Sequence, residues 1–237
     1  MKLKVCGMMQ GENIQEVAAL NPDYMGFIFY EASKRNFEGI IPELPESIKK
    51  TGVFVNEYPE ILISLVEEYQ LDAIQLHGDE SVAYVTNLQL QLAARRALFI
   101  EENKHQKKKK NKHKISKEKV EIIKVFGVKD RFNFEVLRPY LDVVEYFLFD
   151  TKGKERGGNG VQFDWTILES YPFEKPFFLS GGIGLDSVEM LQEFLKKPVS
   201  KCCIALDINS KFESLPGIKK VAQIAKFKNN MIAKVTK

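Results

Sequence analysis

Five side chains that could do chemistry lie at or just beyond the ends of short apolar segments. Cys6 ends KLKVC and Asp150 ends DVVEYFLFD, so each polar group directly follows residues that favour burial. Gln75 and His77 belong to DAIQLHG, and Arg35 lies beyond YMGFIFY. Arginine is also a natural bidentate partner for a carboxylate. An active site could be built from these groups if the fold brings them together.

Each of these residues also has an ordinary structural interpretation. A lone cysteine is commonly a small buried hydrophobic residue, and His77 could be a hydrogen-bonded structural histidine. Asp150 is costly to bury without a partner after four apolar residues, but it could also cap the next loop. Arg35 could be a surface residue. The residue types alone therefore leave both interpretations open.

Two glycine clusters follow later apolar segments, GGNG at 157–160 and SGGIG at 180–184. Glycines allow backbone N–H groups to approach an anion closely. Parallel barrels commonly hold phosphate at the loops after strands seven and eight, and Asp207 ends the last apolar segment. Tight turns would explain the same glycines, but two clusters on one predicted rim favour a phosphate site.

The elements that must position these residues recur along the whole chain. Apolar runs of strand length alternate with helix-length segments, which predicts a (β/α)₈ TIM barrel, an α/β fold. The runs are nearly continuous in apolar residues, as in parallel strands that helices cover. A doubly wound open sheet would show a G-x-G-x-x-G turn after its first strand, and CGMMQGEN lacks it. The predicted strands are 2–6, 24–30, 51–56, 72–78, 120–128, 142–150, 176–182 and 201–209.

Length and composition limit the class of protein. The 237 residues suit one barrel, so we expect a single domain over 1–237. Three cysteines, two of them adjacent, form a poor disulfide framework and favour a reduced, cytoplasmic protein. No signal peptide or membrane-spanning run is evident. The three histidines have no metal-ligand spacing, so we predict no metal site.

One segment interrupts the predicted repeat. We expect an insertion at about 89–119 after a helix over 79–88, with 103–119 as a mobile surface segment. This Lys-rich tract holds nine Lys and one Glu, which leaves the rest of the chain mildly acidic despite the net charge of +3. A contact with nucleic acid or an acidic partner is the alternative. Nucleic acid is disfavoured because the tract lacks interleaved aromatic residues.

The motifs, taken in order, resemble the phosphoribosylanthranilate isomerase (TrpF) family. They are KVCGM, GFIFYEASKRN, GVFVN, DAIQLHGDES, LFDT, GGNGVQFDW and FFLSGGIG, and they span nearly the whole chain apart from 89–119. The resemblance implies an Amadori rearrangement of N-(5-phosphoribosyl)anthranilate to 1-(o-carboxyphenylamino)-1-deoxyribulose 5-phosphate. It implies a phosphorylated small-molecule substrate, no metal and no cofactor. We expect a monomer or a homodimer.

The resemblance also implies roles for individual residues. Asp150 matches the general acid, Cys6 the general base, and Arg35 the residue that pairs with the anthranilate carboxylate. Gln75 and His77 are candidates to bind substrate without a firm role. Backbone groups hold the phosphate in the family, and the matching residues are Gly158, Gly160, Gly181 and Gly182, with the loop after Asp207.

This chain departs from the family pattern at several places. CGMMQ replaces the usual CGIT and Arg, Asn159 and Val161 replace Thr and Lys, and Lys211 takes the place of a usual glycine. The alternatives are another phosphosugar barrel of amino-acid synthesis, or a degenerate barrel that binds acidic partners through its Lys-rich tract. The histidine-pathway isomerase would be expected to have a carboxylate at the position of Cys6. Indole-glycerol-phosphate synthase would need a catalytic lysine at a strand end, for which the early strands offer no persuasive candidate.

Overall fold

The computed structural model describes residues 1–104, 119–151 and 163–232. Within these residues eight parallel strands follow one another around a closed barrel, which β1 and β8 complete by pairing side by side. The predicted TIM barrel is therefore confirmed. The strands are β1 Lys2–Val5, β2 Tyr24–Phe29, β3 Lys49–Phe54, β4 Ala73–Leu76, β5 Glu121–Val128, β6 Tyr146–Thr151, β7 Phe177–Leu179 and β8 Cys203–Ile208.

The outer layer of the described residues contains five α-helices, fewer than a regular repeat would supply. A loop with Pro42 and Pro45 joins β2 to β3, and the described parts of the β5–β6 and β6–β7 connections form 3₁₀ turns. Proline lacks the backbone donor that a continued helix requires, which accounts for the loop and for the turn around Pro139. The helices are α1 Gly11–Ala18, α2 Pro59–Tyr69, α3 Val82–Lys104, α4 Val188–Leu195 and α5 Val221–Ile232.

Helix α3 corrects the predicted insertion. The predicted helix end at residue 88 is wrong, because α3 runs without interruption to Lys104. Residues 89–104 are rich in Gln, Leu, Ala and Arg and contain neither Gly nor Pro, so their helix propensity is high. Most of the predicted mobile segment, 105–118, lies outside the described residues. Among the described helices, none combines the length and the apolar character needed to cross a bilayer.

The barrel interior follows from the two-residue period of the strands. Tyr24 packs edge-on against Phe178 with ring centroids 5.2 Å apart, and polar side chains continue the inward-facing rows toward the C-terminal strand ends. A larger apolar cluster fills the space between strands and helices. The inner apolar cluster comprises Tyr24, Ala73, Ile123, Val125, Leu148, Phe178 and Ala205.

Candidate active site

Cys6 lies immediately after β1 and is buried, with 4% of its surface exposed. Its backbone N–H donates to the carbonyl of Ile208, 2.9 Å away, so the thiol is fixed at the seam between β1 and β8. Gly7 then turns the chain with a φ of +76°. A Cβ on Gly7 would lie 2.7 Å from Oδ1 of Asn209 and 2.8 Å from Cδ of Arg35. Glycine is therefore required here for Arg35 to pack against the turn after β1.

A buried ion pair lies beside the thiol, on the side of the N-terminal strand ends. Lys4 is opposite Asp207 in the register of β1 and β8, and its Nζ is 2.9 Å from Oδ1 of Asp207. Lys4 also forms a side-chain hydrogen bond with Cys6, because residues i and i+2 of a strand share one face. Burial opposes the charge on Lys4, but Asp207 and Cys6 together raise the pKa of Lys4 above its ordinary value. The side chain therefore remains an ammonium.

The thiol of Cys6 lies among opposing charges. Burial raises the pKa of Cys6, and the charge of Asp207 raises it further, while Lys4 and Lys219 lower it. The net direction is upward, so Cys6 is a neutral thiol at neutral pH. Lys4 and Lys219 are the groups of the site that favour the thiolate.

Asp150, on β6, ends a chain of polar side chains that starts at the carboxyl end of β4. Its Oδ2 is 3.5 Å from Nε2 of His77, and its Oδ1 accepts from the backbone N–H of Thr151 at 2.9 Å. Nε2 of Gln75 is 3.4 Å from Nδ1 of His77. The sequence-predicted residues Gln75, His77 and Asp150 thus form one contiguous chain. Asp150 itself is 7% exposed.

The predicted residues from β1, β4, β6 and β8 share one electrostatic environment. Burial raises the pKa of Asp207, Lys4 opposes this rise, Asp150 adds to it, and His77 opposes it. Asp207 was predicted at the substrate end of β8, and the structure places it in the ion pair with Lys4. Cys6, Asp207, Asp150 and His77 therefore form one electrostatically linked group at the carboxyl ends of the strands.

Arg35 is held by a carboxylate from the other end of the chain. Its guanidinium makes three contacts of 2.7–3.0 Å with both oxygens of Glu213. Glu213 begins the short antiparallel hairpin β9 Glu213–Leu215 and β10 Ile218–Lys219. Nζ of Lys219 lies 2.6 Å from Glu213 and 2.7 Å from Oδ1 of Asn209. Burial raises the pKa of Glu213, but Arg35 and Lys219 outweigh it and hold the pKa below its ordinary value.

Two of the four glycines predicted to hold phosphate lie within the described residues. Gly181 and Gly182 have φ values of +92° and +63°, a conformation that favours glycine. A Cβ on Gly181 would collide with Thr151 at the end of β6, so the turn after β7 packs closely against the end of β6. Gly158 and Gly160 lie outside the described residues.

Sequence reasoning missed Lys4, Lys219 and Glu213. The two-residue period of β1 was the available signal for Lys4, because it places Lys4 and Cys6 on one face. No local signal marked the other two, since Glu213 is 178 positions from the arginine that it holds.

A closed parallel barrel with a buried thiol and carboxyl group at its C-terminal face is a (β/α)₈-barrel enzyme equipped for acid–base chemistry. Comparisons with known proteins refine this class. The family model described as N-(5'phosphoribosyl)anthranilate (PRA) isomerase matches residues 3–116 and 104–230. The N-(5'-phosphoribosyl)anthranilate isomerase of Parabacteroides distasonis is 37% identical over 233 residues, covering 96% of this chain and 91% of that protein.

Solved structures agree with this assignment. The phosphoribosyl anthranilate isomerase of Thermotoga maritima is 28% identical, with a TM-score of 0.71 and coverage of 98% of this chain and 99% of that one. Another isomerase structure, in complex with reduced 1-(o-carboxyphenylamino)-1-deoxyribulose 5-phosphate, is 26% identical, with a TM-score of 0.69 and the same coverage. The chain belongs to the N-(5'-phosphoribosyl)anthranilate isomerase family, as its motifs predicted. It is an isomerase of tryptophan biosynthesis.

Proposed function

We propose that this chain converts N-(5'-phosphoribosyl)anthranilate into 1-(o-carboxyphenylamino)-1-deoxyribulose 5-phosphate, with Asp150 as general acid and Cys6 as general base. The observation that carries the proposal is that both groups are buried at the carboxyl ends of different strands, with Asp207 electrostatically coupled to each. An acid and a base that approach a sugar from separate strands suit a reaction that protonates one atom and deprotonates another.

Asp150 begins the reaction. Its carboxyl group protonates the ring oxygen of the ribose, the bond from that oxygen to C1 breaks, and the anilino nitrogen lone pair forms a Schiff base. Asp150 must hold a proton to do this. Nε2 of His77, 3.5 Å from the carboxyl, restrains its orientation.

Cys6 completes the reaction. The thiolate removes the proton from C2, and the electron pair forms an enolamine, which tautomerises to the ketone. The thiol is neutral before the reaction, so its proton passes to water before C2 is deprotonated. Lys4 and Lys219 stabilise the charge that develops on sulfur, because both lower the pKa of Cys6.

The two anionic ends of the substrate fix its orientation. Arg35, already aligned by Glu213, offers its guanidinium to the anthranilate carboxylate. The positive-φ turn at Gly181 and Gly182 lets backbone groups approach the phosphate, together with Gly158 and Gly160. Holding both ends places C2 within reach of the base.

The experiment is a turnover assay that follows loss of substrate fluorescence in metal-free buffer. We expect turnover by the wild type and a loss of at least about 100-fold in kcat for Asp150→Asn, because general acid catalysis contributes about that much or more. Asp164→Asn, which alters an exposed cap of a 3₁₀ turn, is the matched control and keeps activity. A folded wild type without turnover would refute the proposed reaction.

Assembly and location remain predictions. We propose a monomer or a homodimer, and a structure of a related protein concerns monomers generated from the dimeric isomerase of Thermotoga maritima. The reduced, cytoplasmic setting is supported by three cysteines that are all free thiols.

A further inference from the structure

An ion pair joins the loops that follow β7 and β8. Nζ of Lys211 lies 2.9 Å from Oδ2 of Asp186, and the side chains are 36% and 66% exposed. A Cβ on Gly184 would lie 3.2 Å from Cβ and 3.4 Å from Cδ of Lys211. The stem of Lys211 therefore runs along the glycine-rich loop, and its ammonium group ends at the rim where a barrel holds phosphate.

This ion pair is poorly suited to a structural role. Its partners are largely in water, where ion pairs stabilise little and are screened by salt. The contact nevertheless stabilises the charged carboxylate, because the hydrogen bond from Lys211 holds the pKa of Asp186 below its ordinary value. A carboxylate beside a phosphate site repels the ligand unless a cation neutralises it.

We propose that Lys211 binds the phosphate group of the substrate, and that Asp186 is its partner only while the site is empty. A phosphate dianion attracts a flexible ammonium more strongly than a single exposed carboxylate does. Lys211 would thus supply by its side chain what the family usually obtains by close backbone approach at a glycine. This inference rests on the proposed function for the identity of the phosphorylated substrate.

Two single variants separate this role from a simple loop tether. Lys211→Met removes the cation and leaves Asp186 unneutralised, so phosphate binding weakens. Asp186→Asn removes the competitor and releases Lys211, so phosphate binding strengthens. A tether predicts the same direction for both variants, because each breaks the same contact.

The measurements are KM and kcat for the substrate and the calorimetric Kd for inorganic phosphate. For Lys211→Met we expect KM to rise about tenfold with kcat nearly unchanged, since the phosphate is bound equally in ground and transition states. For Asp186→Asn we expect KM to fall about threefold, because a competing charge is lost. Lys196→Met is the matched control, since it breaks an exposed pair of 2.6 Å with Glu193 on α4.

Opposite shifts for the two variants, in both KM and phosphate Kd, support the proposal. Shifts in the same direction, or no change in phosphate Kd, overturn it. The phosphate titration needs no turnover, so it tests Lys211 even if the wild type fails to convert the substrate. That failure would refute the proposed reaction and leave the role of Lys211 decided by the titration alone.

Discussion

At the scale of single residues, the unusual feature is a fully buried lysine beside the thiol. Lys4 is 0% exposed and is paired with Asp207, which is 6% exposed. Removing two charges from water costs several kcal/mol per ion, so a buried pair is weak evidence for stability. Its position beside Cys6 explains it better, because Lys4 lowers the pKa of the thiol more than any other group does.

Substitution of Lys4 by Met tests this explanation. Without the ammonium the pKa of Cys6 rises further, so the thiolate fraction at any given pH falls. We therefore expect the ascending limb of the kcat/KM profile to move to higher pH. The unpaired Asp207 should also lower the free energy of unfolding by about 3–5 kcal/mol. The measurements are a pH–rate profile and urea unfolding.

The control for this substitution is Lys49→Met. Lys49 pairs with Glu121 at 2.6 Å, toward the N-terminal strand ends and away from Cys6. The Lys49→Met substitution removes one positive charge without altering the surroundings of the thiol. If both variants moved the pH profile equally, Lys4 would act only through net charge and the explanation would be wrong.

At the scale of elements, the groups of the candidate site lie at the carboxyl ends of the strands and in the turns that follow them. β1 ends at Val5, and Cys6 and Gly7 belong to the turn that follows. Gly7 combines a φ of +76° with close approaches from Arg35 and Asn209. The turn therefore couples the proposed base, Cys6, to the guanidinium that is proposed to bind substrate.

Gly7→Ala should disturb both groups. A β-carbon at this position needs an unfavourable φ and displaces Arg35, so we expect a rise in substrate KM and a destabilisation of more than about 1 kcal/mol. Thermal unfolding and steady-state kinetics measure these effects. Gly11→Ala is the control, because Gly11 begins α1 and a Cβ there meets nothing within 4 Å. Equal effects at the two glycines would contradict the argument.

The elements were predictable to different degrees. Apolar runs identified the eight strands because a parallel barrel buries both faces of each strand. The end of α3 was misplaced, because charge in the following Lys-rich tract was taken to end the helix early, whereas helix propensity stays high to Lys104. The 3₁₀ turns that replace regular helices around Pro139 and Trp165 were missed, because short connectors leave no periodic pattern.

At the scale of the whole molecule, closure of the barrel is what makes the site. The first strand, β1, pairs with the last barrel strand, β8, so Cys6 and Asp207 become neighbours. The fold class alone implies that proximity. The fold class also brings Gln75, His77 and Asp150 to the same rim. It does not specify that Glu213 holds Arg35, because that contact depends on an irregular hairpin after β8.

The most direct test of the central claim, that Cys6 is the general base, is the kcat of Cys6→Ser under metal-free conditions. We expect a loss of at least about 100-fold with the fold intact, because a serine hydroxyl cannot ionise in the thiol's place. Cys202→Ser, at a half-buried thiol that precedes β8, is the matched control and should retain kcat. A folded Cys6→Ser enzyme with a kcat close to that of the wild type would show that another group removes the C2 proton.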